Sequence, residues 1–567
     1  MNTVAPNPKS KTLTLKSLAI PSLIVLLSAA YKLFLLAFNA VPFNGDEAIV
    51  ALMARHILRG ERPAFFYGQA YLGSTDAWLV ALSYSIFGES VLAIRLVHIA
   101  LFAGVVWTTY RLAKRFLQDE WSARAAMLWM ALPPTMLTLY TTATLGGYTE
   151  TLLFGNILLL LADGFAKGVS SRGARSATGQ PPADSNEIAS RPSTLPRAAQ
   201  NATRMKMWWR WLLFGCIAGF SFYTFPLILA YLIPIGLWLL YRLGLKAWRD
   251  YALALIGVVI GSAPWWVALI QSGGTLVAEM TGSAVAGTVE SSGLLGSLGI
   301  RFINYFLFGA SAWWGLRYPW SAEFVLPIIG IGALIFYLGA LGYALKREPR
   351  VLWGMILTLL LTYLLTPFGG DPSGRYFLPL YIPLAIFAAM LLQRIRKQNV
   401  IVAGLILLAL IGYNILGTLS AAARNPPGIT TQFDPVTWID HARDQELIDF
   451  LLEQGETRGY TTYWVQTPIA FLSNEQIISA ARLPYHLNLG YTPRDDRYQP
   501  YTQAVRQASH AFYITHNNPK LDTKIRDGLA KLGVTFRERS IGNYHVFYAL
   551  SRKVEPEELG MGDGVTR

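Results

Sequence analysis

Three short stretches of the 567-residue chain gather side chains that handle protons and phosphates. Asn44-Gly45-Asp46-Glu47 sets two carboxylates side by side, and Gly146-Gly147-Tyr148-Thr149-Glu150 places a third after a glycine pair. Gly369-Gly370-Asp371-Pro372-Ser373-Gly374-Arg375-Tyr376 adds a guanidinium. A carboxylate can take the proton of a hydroxyl or amine nucleophile. A forked, permanently charged arginine suits a pair of phosphate oxygens. Each stretch also has an ordinary structural reading. Acids cap helix N-termini and sit well at the positive end of the helix dipole, which fits Asp46, Glu47 and Glu150 alike. An arginine at the end of a membrane helix routinely reaches for the interface.

The elements that must position these groups are membrane helices. Of the chain, 53% is hydrophobic and only 14% charged, against about 25% charged in an ordinary soluble domain. Apolar runs long enough to cross a hydrocarbon core about 30 Å thick are expected over 17–39, 91–113, 122–141, 149–166, 208–224, 226–241, 250–270, 322–344, 351–367, 376–393 and 399–418, eleven in all. Lys9, Lys11 and Lys16 precede the first run, which is too long for a typical cleaved signal and is read as a retained helix. With that N-terminus cytoplasmic, five basic clusters share its side: Arg111, Lys114 and Arg115; the linker from Lys167 to Arg210; Arg242, Lys246 and Arg249; Lys346, Arg347 and Arg350; Arg394, Arg396 and Lys397. That is the positive-inside bias, and it accounts for the net charge of +14 without a nucleic-acid partner. The single Cys216 excludes an intrachain disulfide and a cysteine metal cluster.

Residues 167–207 are rich in Ser, Ala, Pro and Arg and read as a disordered cytoplasmic linker. Two outward segments, 40–90 and 271–321, exceed what a turn needs, as functional loops do. In the first, Asp46–Arg59 and Asp76–Phe87 are expected as helices lying along the membrane surface. From about residue 420 no spanning run remains, and 430–567 is expected to form a small extracytoplasmic α/β domain of unassigned role. Within it, helices are expected over 444–454 and 521–532, and strands over 460–465, 511–515, 534–539 and 544–550.

On this topology the three chemical stretches share one membrane face. Carboxylates for a nucleophile and an arginine for a departing phosphate are what transfer from a lipid phosphate requires. A base takes the acceptor proton while the acceptor attacks the anomeric carbon opposite the phosphate, inverting its configuration. A transporter or flippase would explain the helices equally well, but its charges would line a path at mid-membrane depth.

Residues 15–420 resemble the multispanning glycosyltransferases of the GT-C fold, in particular the protein O-mannosyltransferase and lipid A aminoarabinose transferase superfamily (glycosyltransferase family 39-like). The likeness rests on Asp46-Glu47 leading into Ala48-Ile49-Val50-Ala51-Leu52-Met53-Ala54-Arg55, on Tyr84-Ser85-Ile86-Phe87-Gly88, on Arg95-Leu96, and on Arg375-Tyr376-Phe377-Leu378-Pro379-Leu380-Tyr381. The resemblance implies a 1–420 transferase domain that moves a hexosyl or pentosyl group from a polyprenyl-phosphate donor to a lipid, glycan or protein acceptor. It implies catalytic roles for Asp46, Glu47 and Glu150, where many relatives have Asp at the last position, and puts Arg375 and Tyr376 near the donor phosphate. Where many relatives carry Lys-Pro-Pro, this chain has Phe66-Tyr67-Gly68-Gln69-Ala70-Tyr71-Leu72-Gly73, which points to a different acceptor. Tyr67, Gln69 and Tyr71, with Arg55 and Tyr148, are the candidate substrate-binding residues. Oligosaccharyltransferase relatives need a divalent metal, for which Asp46 with Glu150 could form part of a site. The closer likeness is to metal-independent members, and no metal or other cofactor is predicted. The expected location is a bacterial-type inner membrane.

Overall fold

The computed structural model describes residues 15–177, 208–274, 276, 294–347, 349–424, 428–432 and 435–561. Lys9, Lys11 and most of the 167–207 linker lie outside these residues, as does much of the 271–321 loop. The chain is a multi-pass helical bundle. All eleven expected segments contain helix, and among the described residues seven helices are long and apolar enough to cross a membrane by themselves, eight if a bent pair counts as one span. That pair, Leu245–Gly261 and Ala263–Gln271, bends by 58° where Pro264 follows the break. The shorter Arg350–Leu365 is also apolar. The 122–141 segment is broken into Glu120–Ala131 and Thr135–Tyr140, because Pro133 and Pro134 cannot donate to the helix ladder. The helix starting at Tyr148 runs on to Ala177, well into the stretch expected as disordered linker.

Small residues set the tightest crossing. Gly215 and Gly219 of the helix Trp208–Thr224 face Gly257 and Gly261 of Trp248–Gly261, and a methyl group on any of them would strike the other helix's backbone. Membrane helices approach closely at such four-residue spacings because dispersion contact, not water exclusion, drives their association.

At one end of the bundle lie the helices Gly45–Leu58 and Thr75–Phe87, joined by a hairpin of β1 (Phe65–Phe66) and β2 (Gln69–Gly73). The tail then builds a five-stranded sheet from β3 (Arg458–Thr461), β4 (Ile478–Ala481), β5 (Phe512–His516), β6 (Arg537–Ile541) and β7 (Tyr544–Tyr548), in the order β4-β3-β5-β7-β6. The β4-β3-β5 part is parallel and the β5-β7-β6 part antiparallel. The expected 460–465 strand is only half right. β3 ends at Thr461, and Tyr463–Leu472 is a helix. Residues Tyr463 through Phe471 are all buried, and a short helix buried all round carries no polar face to betray its period. That helix packs on Gly45–Leu58, and one hydrophobic cluster runs from the bundle through Gly45–Leu58 and Thr75–Phe87 into the tail.

Candidate active site

Where bundle, hairpin and tail meet there is a cavity of about 220 Å3. Of the residues singled out in the sequence, Asp46, Gln69, Tyr71, Tyr148, Arg375 and Tyr376 line it. Asp46 sits in the first turn of Gly45–Leu58, behind an N-cap in which the Asn44 side chain accepts from the Glu47 N–H at 3.2 Å. Its side chain is 28% exposed. Tyr463 Oη donates to Asp46 Oδ1 at 2.9 Å, and the Arg497 guanidinium lies 3.7 Å from the same oxygen while stacking on the Tyr463 ring. Burial drives the Tyr463 phenol well above its ordinary pKa, so it remains a donor to Asp46.

Arg375 enters from the other side. It pairs with Asp371 at 2.7 Å and lies between the faces of Trp320 and Tyr376, at 5.3 and 5.0 Å from the ring centroids. Its Nε is buried and has no partner among the described residues, leaving a donor in reserve beside the cavity. Arg317 holds this loop in place by donating to the carbonyls of Pro372 and Ser373, both at 2.6 Å.

The remaining candidates lie outside the cavity, for distinct reasons. Glu47 is fully buried and paired with Arg95 at 2.5 Å, with Arg95 also bonded to the Val41 carbonyl. Arg55 pairs with Glu89 at 2.6 Å and donates to Phe471 O and Asn474 Oδ1, tying the helix Gly45–Leu58 to the tail. Tyr67 donates to Glu61 at 2.5 Å and stacks on Tyr498 at 4.6 Å, doing the same for the hairpin. Glu150 is buried with Asp76 and His98 in a layer of its own, and Asp46 is not part of that group. The pairing of Asp46 with Glu150 as metal ligands is therefore not the arrangement found.

The tail supplies what the sequence motifs do not reveal: Tyr463, Trp464, Tyr485, Arg494, Asp495 and Arg497 all line the cavity. Burial raises the Asp495 carboxyl to about 6, with Arg497, Arg494 and His486 pulling the other way. The hairpin turn accommodates Arg497 only because Gly68 has none of the bulk of a side chain. Its φ is +69°, and a Cβ there would lie 2.8 Å from the Arg497 side chain. One signal of this contribution does stand in the sequence, the run Arg494-Asp495-Asp496-Arg497 amid tyrosines.

Sequence comparison finds no matching family model and no matching curated protein. The three-dimensional structure does find solved proteins of similar fold. ArnT from Cupriavidus metallidurans in the apo state superposes with a TM-score of 0.55 at 12% identity, over 93% of this chain and 98% of that one. The same protein bound to undecaprenyl phosphate gives 0.50 at 12% identity, over 94% and 97%. The Archaeoglobus fulgidus oligosaccharyltransferase in the apo form gives 0.48 at 13% identity, over 90% and 70%. The chain is thus a multi-pass membrane protein of the GT-C fold, as the sequence motifs implied. Fold alone does not assign chemistry, which must be argued from the cavity.

Proposed function

We propose that the protein is an inverting glycosyltransferase that moves a sugar from a polyprenyl-phosphate carrier to an acceptor hydroxyl or amine. The observation that carries this reading is the cavity that Asp46 shares with Arg375, Tyr376 and Arg497. Asp46 is held by donors yet open to solvent, as a base toward a bound nucleophile must be. It takes the acceptor proton as the acceptor's lone pair forms the new bond to the anomeric carbon. The carbon–oxygen bond to phosphate breaks with its electron pair, and Arg375 stabilises the departing polyprenyl phosphate. ArnT, whose fold the chain shares, has been solved bound to undecaprenyl phosphate. A cavity of about 220 Å3 lies below the ~300–1,000 Å3 of pockets for drug-sized ligands. It suits one monosaccharide and its phosphate rather than an assembled oligosaccharide.

In this reading residues 1–420 form the transferase domain and 430–567 close its cavity from above. The N-terminus is cytoplasmic, the cavity and tail lie on the extracytoplasmic face of an inner membrane, and Gln69, Tyr71 and Tyr148 contact sugar or acceptor. The test is sugar release or transfer from radiolabelled polyprenyl-phosphate sugars by the full chain in lipid nanodiscs, native against Asp46→Asn. Turnover that collapses in the variant is expected. Equal turnover in both would remove Asp46 as the base, and none with any carrier would overturn the reading in favour of transport.

A further inference from the structure

A second cluster of titratable groups is buried apart from the cavity. Asp76 opens the helix Thr75–Phe87, His98 lies in Val91–Leu117, and Glu150 is in the first turn of Tyr148–Ala177. Each offers one ligand atom, and these atoms lie within 4.8 Å of one another. The three residues are 2%, 1% and 0% exposed. Asp76 Oδ1 is 3.0 Å from His98 Nε2, and the Thr144 hydroxyl bonds both, 2.7 Å from that nitrogen and donating to Asp76 Oδ2. Thr149 Oγ1 is 3.2 Å from His98 Nδ1. Glu150 is the exception, since neither of its oxygens has solvent or a hydrogen-bond partner among the described residues.

A carboxylate stranded in this way is strongly destabilising unless a cation or proton meets it. Arg95 is not that cation, because Glu47 already takes it, and a protonated His98 would answer Asp76 at 3.0 Å and still leave one carboxylate charge uncancelled. With a neutral imidazole the cluster carries two negative charges, which one divalent cation cancels. We infer that Asp76, His98 and Glu150 bind a divalent cation of borderline character, Mn2+ or Zn2+. Imidazole with two carboxylates suits these ions, whereas Mg2+ keeps several waters that a dry layer does not offer. Zinc bonds of about 2.0–2.2 Å put tetrahedral ligand atoms about 3.4 Å apart. Asp76 and His98 already stand near that spacing, so Glu150 is the ligand that closes, with the Thr144 hydroxyl as a fourth donor. The ion would clamp three elements together, and through the Thr144 N–H, 3.5 Å from Glu47 Oε1, it would brace the turn that carries Asp46. It positions that turn and touches no reacting atom, and its binding stands independently of the transferase reading.

The test is elemental analysis of the full chain purified in detergent without chelator, together with thermal unfolding after EDTA and after return of MnCl2 or ZnCl2. About one equivalent of Mn2+ or Zn2+ per chain is expected, with a melting temperature that falls on chelation and recovers with the ion. Both effects should vanish in Glu150→Gln and His98→Asn and persist in Asp46→Asn. Should the cluster variants fail to fold, pulsed EPR of the native chain loaded with Mn2+ decides, since His98 as ligand gives a nitrogen coupling. Three results would overturn the proposal: no nitrogen coupling, metal retained in a well-folded Glu150→Gln, or a native chain that neither holds nor responds to either ion. The last would leave a proton shared by Glu150 and Asp76 as the charge balance.

Discussion

The cavity and the buried layer apart from it both contain carboxylates at the start of a helix, yet they solve opposite problems. Asp46 keeps 28% of its side chain open and leans on Tyr463, so its charge is hydrated and available. Glu47 is the next residue, turned about 100° further round the same helix. It has no exposure and survives by its ion pair with Arg95. Glu150 shares that dryness without such a partner. The difference teaches that proximity in sequence assigns no role to an acid here. Access to water and the nearest cation do.

Substitutions can break this contrast or sharpen it. The largest effect is expected for Asp46→Asn, which should cut sugar transfer by about 100- to 10,000-fold, the usual worth of a general base, with an unchanged melting temperature. Glu47→Gln should behave in reverse. Stranding Arg95 in the dry layer costs about 3–5 kcal/mol of stability, read as a sharp fall in thermal unfolding temperature. Loss of turnover at unchanged stability would erase the distinction between the two acids.

The tail's docking onto the helix Gly45–Leu58 should be acid-sensitive. Although burial pushes Glu475 up, bonds from His56 and Tyr501 and the charges of His56 and Arg59 win and hold it at about 2, below its ordinary 4.5. A depressed acid stabilises above its unfolded value and loses that contribution as pH falls through the folded one. The stabilisation, about 3 kcal/mol, is therefore complete above pH 4.5 and gone near pH 2. Limited proteolysis of the tail across this window should show the loss in the native chain and little pH dependence in Glu475→Gln. The smallest effect is expected for Tyr463→Phe. Removing one donor to a charged oxygen costs about 1.5–3 kcal/mol, a loss of transfer of about 10- to 150-fold at constant fold.

Much of the candidate site is legible in the residue order alone. Local motifs single out Asp46, Gln69, Tyr71, Tyr148, Arg375 and Tyr376, and all six line the cavity. The same logic singles out Arg55 and Tyr67, which instead fasten the tail, because a charged or aromatic side chain looks alike whether it meets a substrate or another loop. The helix Tyr463–Leu472 reads in part as strand, since its complete burial hides its period.

The sequence by itself determined the membrane bundle and the stretches that carry charge near its helix ends. Burial in lipid is a property of composition over some twenty residues, which any local window can read. Which acid faces the cavity, and that the tail completes it, only the tertiary structure decided. Asp46 and Tyr463 stand 417 residues apart and Arg55 and Phe471 stand 416 apart. Contacts over such distances follow from how whole elements pack, which no local window contains.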